Sequence, residues 1–172
     1  MSVDERMVHD IVQKVMANMQ ISGSVSGMHG VFKDMNDAIN ASIEAQNKVC
    51  TMTLDQREQI ISLIRKKTHE NAEILANMGV NETGMGNVGD KILKHHLTAD
   101  KVPGTEDIST IAWSGDRGLT LVEMGPFGVI GAITPATNPS ETVICNCIGM
   151  LAGGNTVVFN PHPNAKKTTI YT

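Results

Sequence analysis

A strand–helix–strand pattern near the carboxyl end of the sequence limits the possible folds more than any other feature. Residues 128–133 (GVIGAI) and 156–159 (TVVF) are short apolar runs of the kind that form buried parallel strands. Residues 140–151 between them have a helical pattern, GGN then breaks the chain, and HPNAKKTTIYT begins another helix. Strand, helix, strand and helix at this spacing predict an α/β fold containing a β-α-β unit with a right-handed crossover.

The turns that follow the two strands are the candidate binding site. The first is TPATNPSET, residues 134–142, and the second is NPHPN, residues 160–164. Ligands of open α/β sheets bind at the carboxyl ends of the strands, so both turns are expected to line one crevice. Two prolines stiffen the first turn around Asn138, and a rigidly held amide N–H can donate to an oxygen that gains charge in a reaction. The alternative is that Asn138 only caps the helix ahead of Pro139.

A G-x-G-x-x-G sequence occurs at Gly84–Gly89, but its context argues against a phosphate-binding loop. That fingerprint works only where a strand enters the glycine turn and a helix leaves it. Here a long helix precedes the glycines: it begins after a Thr53-x-x-Gln56 capping box and is predicted to end with Gly79 as its C-terminal cap. Because DKILKHHL follows, we predict a turn between two helices.

The remaining segments before the β-α-β unit are predicted from local pattern. Residues 35–50 have the apolar spacing of a helix, and residues 110–126 are typical of two short strands joined by a Gly-Asp turn. The chain therefore changes from helical to extended just before its first buried strand.

An amphipathic pattern at the amino terminus is separated from these elements by a Ser/Gly-rich segment. Its apolar residues recur at three- and four-residue spacings, on one face of a helix: Val3, Met7, Val8, Ile11, Val12, Val15, Met16 and Met19. A helix on a flexible tether needs a surface to cover its apolar face. We expect residues 1–20 to be a targeting helix, 21–29 a linker and 30–172 the domain proper. An ordinary first helix docked on its own domain is the alternative.

Composition excludes some partners and favours a reducing compartment. A net charge of −4 and a pI near 5.8 give no electrostatic reason to expect nucleic acid or an anionic membrane as partner. The apolar runs are too short to span a bilayer and no secretory signal is present, so a soluble cytoplasmic protein is expected. The three cysteines lack metal-ligand spacing, and we predict surface helix positions for His69, His95 and His96 and no metal site.

The segment PFGVIGAITPATNPSETVICNCIGMLAGGNTVVFNPHPNAKKT resembles the aldehyde dehydrogenase superfamily, and within it the CoA-acylating branch. NETGMG and AWSGDRGLTLVEMGPFG upstream are similar to the same branch, so the resemblance extends from about Gly30 to Thr172. It implies an aldehyde dehydrogenase-like α/β fold, with amino-terminal helices and an incomplete Rossmann-like parallel sheet. It also implies oxidation of a short-chain aldehyde with NAD and coenzyme A to acyl-CoA and NADH.

The resemblance assigns roles to the two turns. Asn138 takes the position of the amide that stabilises the reacting oxygen, although a gapless match of the prolines places Thr137 there instead. Hydrolytic members carry Lys and Glu where this chain has Asn160 and Pro163, a change that resembles enzymes in which part of CoA shares the cofactor crevice. The implied cofactor-binding residues are Ile133, Thr134, Pro135, Ala136, Thr137, Asn160, Pro161, His162 and Pro163.

The family's nucleophilic cysteine lies in a separate domain beyond the region matched here. Cys145 and Cys147 fall within the predicted helix after the TPATNP turn, where packing as small apolar residues is expected, and Cys50 lies in the helical region. The chain is therefore expected to be the amino-terminal part of a longer enzyme that forms a homo-oligomer. Lys166 and Lys167 could face a CoA phosphate or form a solvated helix surface.

Three functional interpretations follow from the resemblance. CoA-acylating enzymes of bacterial microcompartments resemble this arrangement of helix, linker and catalytic fold, which implies residence in a microcompartment lumen and binding of shell or cargo proteins through residues 3–19. The alternatives are the aldehyde dehydrogenase half of a bifunctional aldehyde-alcohol dehydrogenase and a non-catalytic cargo or assembly module.

Overall fold

The computed structural model describes residues 30–172, so the predicted targeting helix and linker lie outside the described residues. Five helices and two two-stranded sheets make up this part of the chain. The helices are α1 (Met35–Val49), α2 (Leu54–Thr83), α3 (Val88–Lys101), α4 (Pro139–Ala152) and α5 (Lys166–Tyr171). The strands are β1 (Ile111–Gly115), β2 (Gly118–Val122), β3 (Val129–Ile133) and β4 (Thr156–Asn160), and short 3₁₀ turns cover Thr105–Asp107 and Pro163–Ala165.

The predicted strand–helix–strand unit is confirmed. Strands β3 and β4 pair in parallel, with Val129 opposite Thr156 and Ile133 opposite Asn160, and α4 connects them. The register aligns the carboxyl ends of the two strands, so the turns beginning at Thr134 and Pro161 leave the sheet side by side. Strands β1 and β2 form the predicted antiparallel hairpin.

The apolar core lies where α2 crosses α4. Its buried members are Ile61 and Leu75 of α2 and Ile144, Ile148 and Ala152 of α4. Helix α1 packs against β3 and β4, where Gln46 bridges the GGN turn. The Gln46 amide donates to the Gly154 carbonyl oxygen at 2.8 Å and accepts from the Thr156 N–H at 2.7 Å. The core therefore fixes α4, and with it the turn that precedes α4.

Helix α2 begins and ends with side chains and dihedrals suited to those positions. The capping box at its start is confirmed, because the Thr53 hydroxyl accepts from the Gln56 N–H while the Gln56 amide oxygen accepts from the Thr53 N–H. The prediction that Gly79 is the C-terminal cap was wrong. The helix continues to Thr83 and Gly84 caps it with φ 67°, while Gly79 is buried against the Lys91 side chain. Gly79 thus serves close packing of α3 on α2.

We expect Gly84→Ala to lower the free energy of unfolding by about 1 kcal/mol, because a left-handed backbone strains any residue with a Cβ. A Cβ at Gly84 would contact nothing within 4 Å, so the cost is conformational. Gly149 is the matched control: it is exposed on α4, a Cβ there also meets nothing, and Gly149→Ala should stabilise the chain by about 0.5–1 kcal/mol. Urea unfolding of both variants measures the difference, and equal effects would contradict the assigned cap.

Candidate active site

The glycine turn between α2 and α3 lies opposite the TPATNP turn. Gly84–Gly89 joins two helices, as predicted, and no strand enters it. The two turns together line a cavity of about 360 Å³ that is open to solvent. The cavity is lined by Met85, Gly86, Asn87, Asp90, Lys91, Lys94, Thr137 and Asn138. The glycines therefore contribute to the candidate site by reversing the chain, so that α3 faces the turn that holds Asn138.

Asn138 occupies the N-cap position of α4, but its side chain does not cap the helix. The amide oxygen Oδ1 instead accepts a hydrogen bond from Lys94 Nζ at 2.7 Å. Pro139 follows at the first helical position and is buried, which holds the backbone of the turn rigid. The Asn138 side chain is thus directed to the cavity, and its Nδ2 donors have no acceptor among residues 30–172.

The backbone of the same turn is held by a buried lysine. Lys91 Nζ donates to the Thr137 carbonyl oxygen at 3.0 Å and lies 3.5 Å from Glu141 Oε1. Lys91 and Glu141 are only 5% and 6% exposed, so the two charges depend on each other for neutralisation. Lys91 and Lys94 are one turn apart on α3, and they hold the backbone and the side chain of the turn respectively.

His95 is fully buried beside this ion pair, and the prediction that it lies at the surface was wrong. Helix α3 packs on the start of α4, where His95 Nε2 lies 2.8 Å from Ser140 Oγ. Within α3 itself, His95 Nδ1 lies 2.6 Å from the Lys91 carbonyl oxygen. Burial lowers the pKa of His95, against the opposing effects of the Lys91 carbonyl and the Glu141 charge. Nδ1 faces a carbonyl oxygen, so it carries the proton of the neutral ring and donates to that oxygen. Nε2 faces the Ser140 hydroxyl, whose one proton is also within reach of Glu141 Oε2 at 3.2 Å.

The lowered pKa of His95 predicts that acid destabilises the fold. Above pH 6.5 the ring is neutral in both the folded and the unfolded chain. As the pH falls below 6.5, the unfolded chain takes up a proton that the folded chain does not, so the free energy of unfolding decreases until the pH reaches the lower pKa of the folded state. We expect His95→Gln to flatten this dependence by up to about 1.4 kcal/mol per pH unit. Urea unfolding at several pH values between about 7.5 and 5 compares the two proteins, and parallel pH dependences would contradict the prediction.

His69 and His96, the other two histidines predicted on helix surfaces, differ from His95. His69 is exposed and His96 is half-buried; their Nδ1 atoms lie 2.7 Å apart, and His69 Nε2 lies 2.8 Å from Asp100 Oδ1. No group of three or more metal-binding side chains occurs among residues 30–172. These contacts connect α2 to α3 away from the cavity lining.

The predicted cofactor-binding residues lie at the aligned ends of β3 and β4. The Thr134 N–H donates to the Asn160 carbonyl oxygen at 3.1 Å, which joins the two turns. Ile133 is 84% exposed, whereas the Thr134 side chain is buried and its Oγ1 has no hydrogen-bond partner within the described part of the chain. Pro135, Ala136 and Thr137 follow in the first turn, and Pro161, His162 and Pro163 follow Asn160 in the second. The structure therefore brings both predicted sets together along one edge.

The start of α5 is already bound by a carboxylate from α2. Glu82 accepts from the backbone N–H groups of Lys167 and Thr168 at 2.8 and 2.7 Å, and from the Thr168 hydroxyl. Although burial acts to raise the pKa of Glu82, these hydrogen bonds outweigh it and hold the pKa below its usual value. Lys166 and Lys167 are both exposed. Two N–H groups at the start of this helix are thus used within the fold and are not available to a ligand.

Cys145 and Cys147 lack the environment of a reactive thiolate. Burial raises the pKa of Cys147 to about 11, and burial also raises the pKa of Cys145. Cys50 is exposed at the end of α1, where its Sγ accepts from the Gln46 amide. The predicted packing role agrees with the positions of Cys145 and Cys147 on α4.

Sequence reasoning found Asn138 but missed Lys91, Lys94, Ser140, Glu141 and the burial of His95. The only local signal is the i, i+3, i+4 spacing of Lys91, Lys94 and His95, which places them near one face of α3. Their partners are 44 to 50 residues further along the chain. Nothing within the segment itself identifies that face as buried.

No helix within residues 30–172 has the length and apolarity required to cross a membrane.

Comparison with known proteins places this geometry in a family. Residues 14–172 match the model of the aldehyde dehydrogenase family. An acetaldehyde dehydrogenase (acetylating) of Bilophila wadsworthia is 46% identical over 96% of this chain and 36% of its own length. The chain thus spans about a third of the length of this curated relative.

Two solved structures extend the comparison. A propionaldehyde dehydrogenase from the Clostridium phytofermentans fucose utilisation bacterial microcompartment is 76% identical, with a TM-score of 0.80, over 83% of this chain and 33% of that one. A Rhodopseudomonas palustris propionaldehyde dehydrogenase with bound CoA and an acylated cysteine is 48% identical, also with a TM-score of 0.80, over 84% and 34% of the two chains. Sequence and fold agree, and the chain belongs to the aldehyde dehydrogenase family.

Proposed function

We propose that residues 30–172 form the amino-terminal part of the nicotinamide- and CoA-binding domain of a CoA-acylating aldehyde dehydrogenase. The overall reaction converts a short-chain aldehyde, CoA and NAD⁺ into acyl-CoA, NADH and a proton. The similarity to acylating relatives supports the reaction class, and the 76% identity to a propionaldehyde dehydrogenase favours a short aldehyde.

The observation that carries the proposal is the contact of Lys94 Nζ with Asn138 Oδ1, which leaves Nδ2 without an acceptor among residues 30–172. The oxygen of an aldehyde or thioester gains negative charge when a thiolate adds to its carbonyl carbon, and a fixed N–H donor lowers the free energy of that state. Asn138 is held at its backbone by the rigid turn and at Oδ1 by Lys94, so little reorganisation is needed when the charge develops. The Thr137 hydroxyl, on an exposed residue, is the competing donor in the gapless match.

The edge formed by β3 and β4 fits a nicotinamide dinucleotide and the nucleotide part of CoA. It presents an exposed apolar side chain at Ile133, an amide at Asn160 and an imidazole at His162. The Thr134 hydroxyl at the same edge is buried and has no hydrogen-bond partner within residues 30–172. Apolar surface with a few oriented polar groups is typical of cofactor sites. When bound there, the nicotinamide would supply the hydride acceptor, and the residues named would orient it.

The nucleophile in this proposal comes from a part of the enzyme other than residues 1–172. The burial of Cys147 and Cys145 keeps both thiols protonated near neutral pH, which agrees with the short coverage of the relatives. A thiolate supplied to the cavity would add to the aldehyde carbon while Nδ2 of Asn138 donates to the oxygen. After hydride loss, the CoA thiol would displace the enzyme's sulfur from the thioester.

The amino-terminal residues are the basis for a proposed location of the enzyme in the cell. Residues 1–20 would act as a targeting helix and 21–29 as a linker, with shell or cargo proteins as partners, a microcompartment lumen in the cytoplasm as the location and a homo-oligomer as the assembled enzyme. The microcompartment origin of the 76% identical relative supports this assignment. A fusion of residues 1–20 to a fluorescent protein should form foci in cells that assemble compartments, and diffuse fluorescence would contradict it.

The reaction is tested with the protein encoded by the complete reading frame that contains residues 1–172. Incubated with propionaldehyde, CoA and NAD⁺, it should form propionyl-CoA and NADH in equal amounts. NADH formation that does not require CoA, with free propionate as product, would contradict an acylating enzyme. The isolated 172-residue chain is the control, and sustained turnover by it would contradict the external origin of the nucleophile.

A further inference from the structure

Lys94 is an exposed residue on α3 whose side chain reaches the candidate site. Its Nζ donates to Asn138 Oδ1 at 2.7 Å, across 44 residues of sequence. The contact concerns the amide oxygen only, which leaves Nδ2 for a ligand. The following inference rests on the proposed role of Asn138 as the donor to the reacting oxygen.

An asparagine amide can present either end, and only one end is useful at such a site. Nδ2 donates, whereas Oδ1 would repel an oxygen that gains negative charge. An ammonium group has donors and no acceptor, so Lys94 can pair with Oδ1 and cannot pair with Nδ2. The contact therefore selects the amide orientation in which the donors remain available. The positive charge also polarises the amide and strengthens its N–H groups as donors.

A competing arrangement is available to Asn138 in the absence of Lys94. The residue stands at the N-cap of α4, where an asparagine oxygen ordinarily accepts from the N–H of the second or third helical residue. That bond is not made here. Without Lys94, Oδ1 is free to turn toward the N–H groups of Ser140 and Glu141 and to carry Nδ2 away from the cavity. Helix capping and catalysis thus compete for one side chain.

We propose that Lys94 is a positioning residue for Asn138, which holds the amide oxygen and thereby directs Nδ2 to the reacting oxygen. The roles of the two lysines on α3 are separate. Lys91 is buried and holds the turn through the Thr137 carbonyl, whereas Lys94 is exposed and contacts only the side chain. Substitution of Lys94 should therefore leave the fold intact.

The test is a double-mutant cycle in the protein encoded by the complete reading frame, assayed for CoA-dependent NADH formation from propionaldehyde. We expect Lys94→Met to lower kcat by about 10-fold with little change in KM, because the lost orientation acts in the transition state. In the Asn138→Ala background the same substitution should change kcat less than about 2-fold. Lys94→Arg, which keeps donors at this position, should recover most of the loss. Lys101→Met, on an exposed lysine of the same helix, should behave as the unsubstituted enzyme.

The other outcomes separate this inference from the one on which it rests. If Asn138→Ala retains full activity, the proposed role of Asn138 fails and the positioning role fails with it. If Asn138→Ala loses activity while Lys94→Met does not, only the positioning role is overturned. A loss from Lys94→Met of equal size in both backgrounds would also overturn it, because Lys94 would then act independently of Asn138.

Discussion

Replacing Asn138 by alanine is expected to lower kcat for CoA-dependent aldehyde oxidation by about 10²–10³-fold. Removal of one preorganised donor to a developing oxyanion has an effect of this order in acyl-transfer enzymes. The amide is fixed at the N-cap of α4 and bound at Oδ1 by Lys94, so the donor is preorganised before substrate binds. Steady-state kinetics of the enzyme from the complete reading frame, with propionaldehyde as substrate, measures the loss.

Two further variants show which residue of the turn is the donor. Asn138→Asp keeps the size of the side chain but replaces the N–H donors with oxygen, so its kcat should be as low as that of the alanine variant. Thr137→Ala should retain kcat within about 3-fold, because Asn138 supplies the donor and the Thr137 carbonyl oxygen that Lys91 binds is kept. A large loss in Thr137→Ala with a small loss in Asn138→Ala would instead assign the donor to Thr137.

Lys91→Met is expected to lower the free energy of unfolding by about 3–5 kcal/mol, because it leaves the Glu141 carboxylate buried without a counter-charge. The two side chains are 5% and 6% exposed, and Nζ lies 3.5 Å from Oε1. The substitution also removes the donor to the Thr137 carbonyl oxygen. Urea unfolding of the 172-residue chain measures the change, with Lys101→Met as the control for loss of a surface charge on the same helix.

The double variant Lys91→Met/Glu141→Gln distinguishes an unpaired charge from lost packing. With the carboxylate removed, about half or more of the lost stability should return, because a buried ion pair replaced as a unit costs much less than one broken by a single substitution. A cost below about 1 kcal/mol for Lys91→Met alone would show that Glu141 reaches solvent or another partner. Equal stability of the single and double variants would show that the Thr137 contact dominates.

Local sequence pattern predicted most of the fold that surrounds the site. The apolar runs at 128–133 and 156–159 form parallel strands, as expected of short apolar runs bounded by turn residues. The capping box at Thr53 and the two-helix turn at Gly84–Gly89 also followed from residues close together in sequence. The side-by-side position of the two turns could be predicted because parallel pairing places both strand ends at one edge. The cavity beside Asn138 could not, because its other wall is the turn between α2 and α3.

Features that depend on distant partners could not be predicted in this way. Gly79 has the pattern of a helix cap, but it is buried under the Lys91 side chain within a helix that continues to Thr83. His95 lies in a polar stretch typical of a surface, and it is buried because α3 packs against both α2 and α4. Lys94 and Asn138 meet for the same tertiary reason. Charged side chains in long helices give no local sign of the partner that they meet.

In our proposal, residues 30–172 supply the Asn138 donor of a CoA-acylating aldehyde dehydrogenase and the cofactor-binding edge formed by β3 and β4. The most direct measurement uses a hybrid in which these residues replace the matching segment of the Clostridium phytofermentans propionaldehyde dehydrogenase. The two segments are 76% identical. We predict CoA-dependent formation of propionyl-CoA and NADH within about 10-fold of the parent rate, and its loss in the Asn138→Ala hybrid. A hybrid that folds and assembles like the parent but forms no propionyl-CoA would contradict the claim.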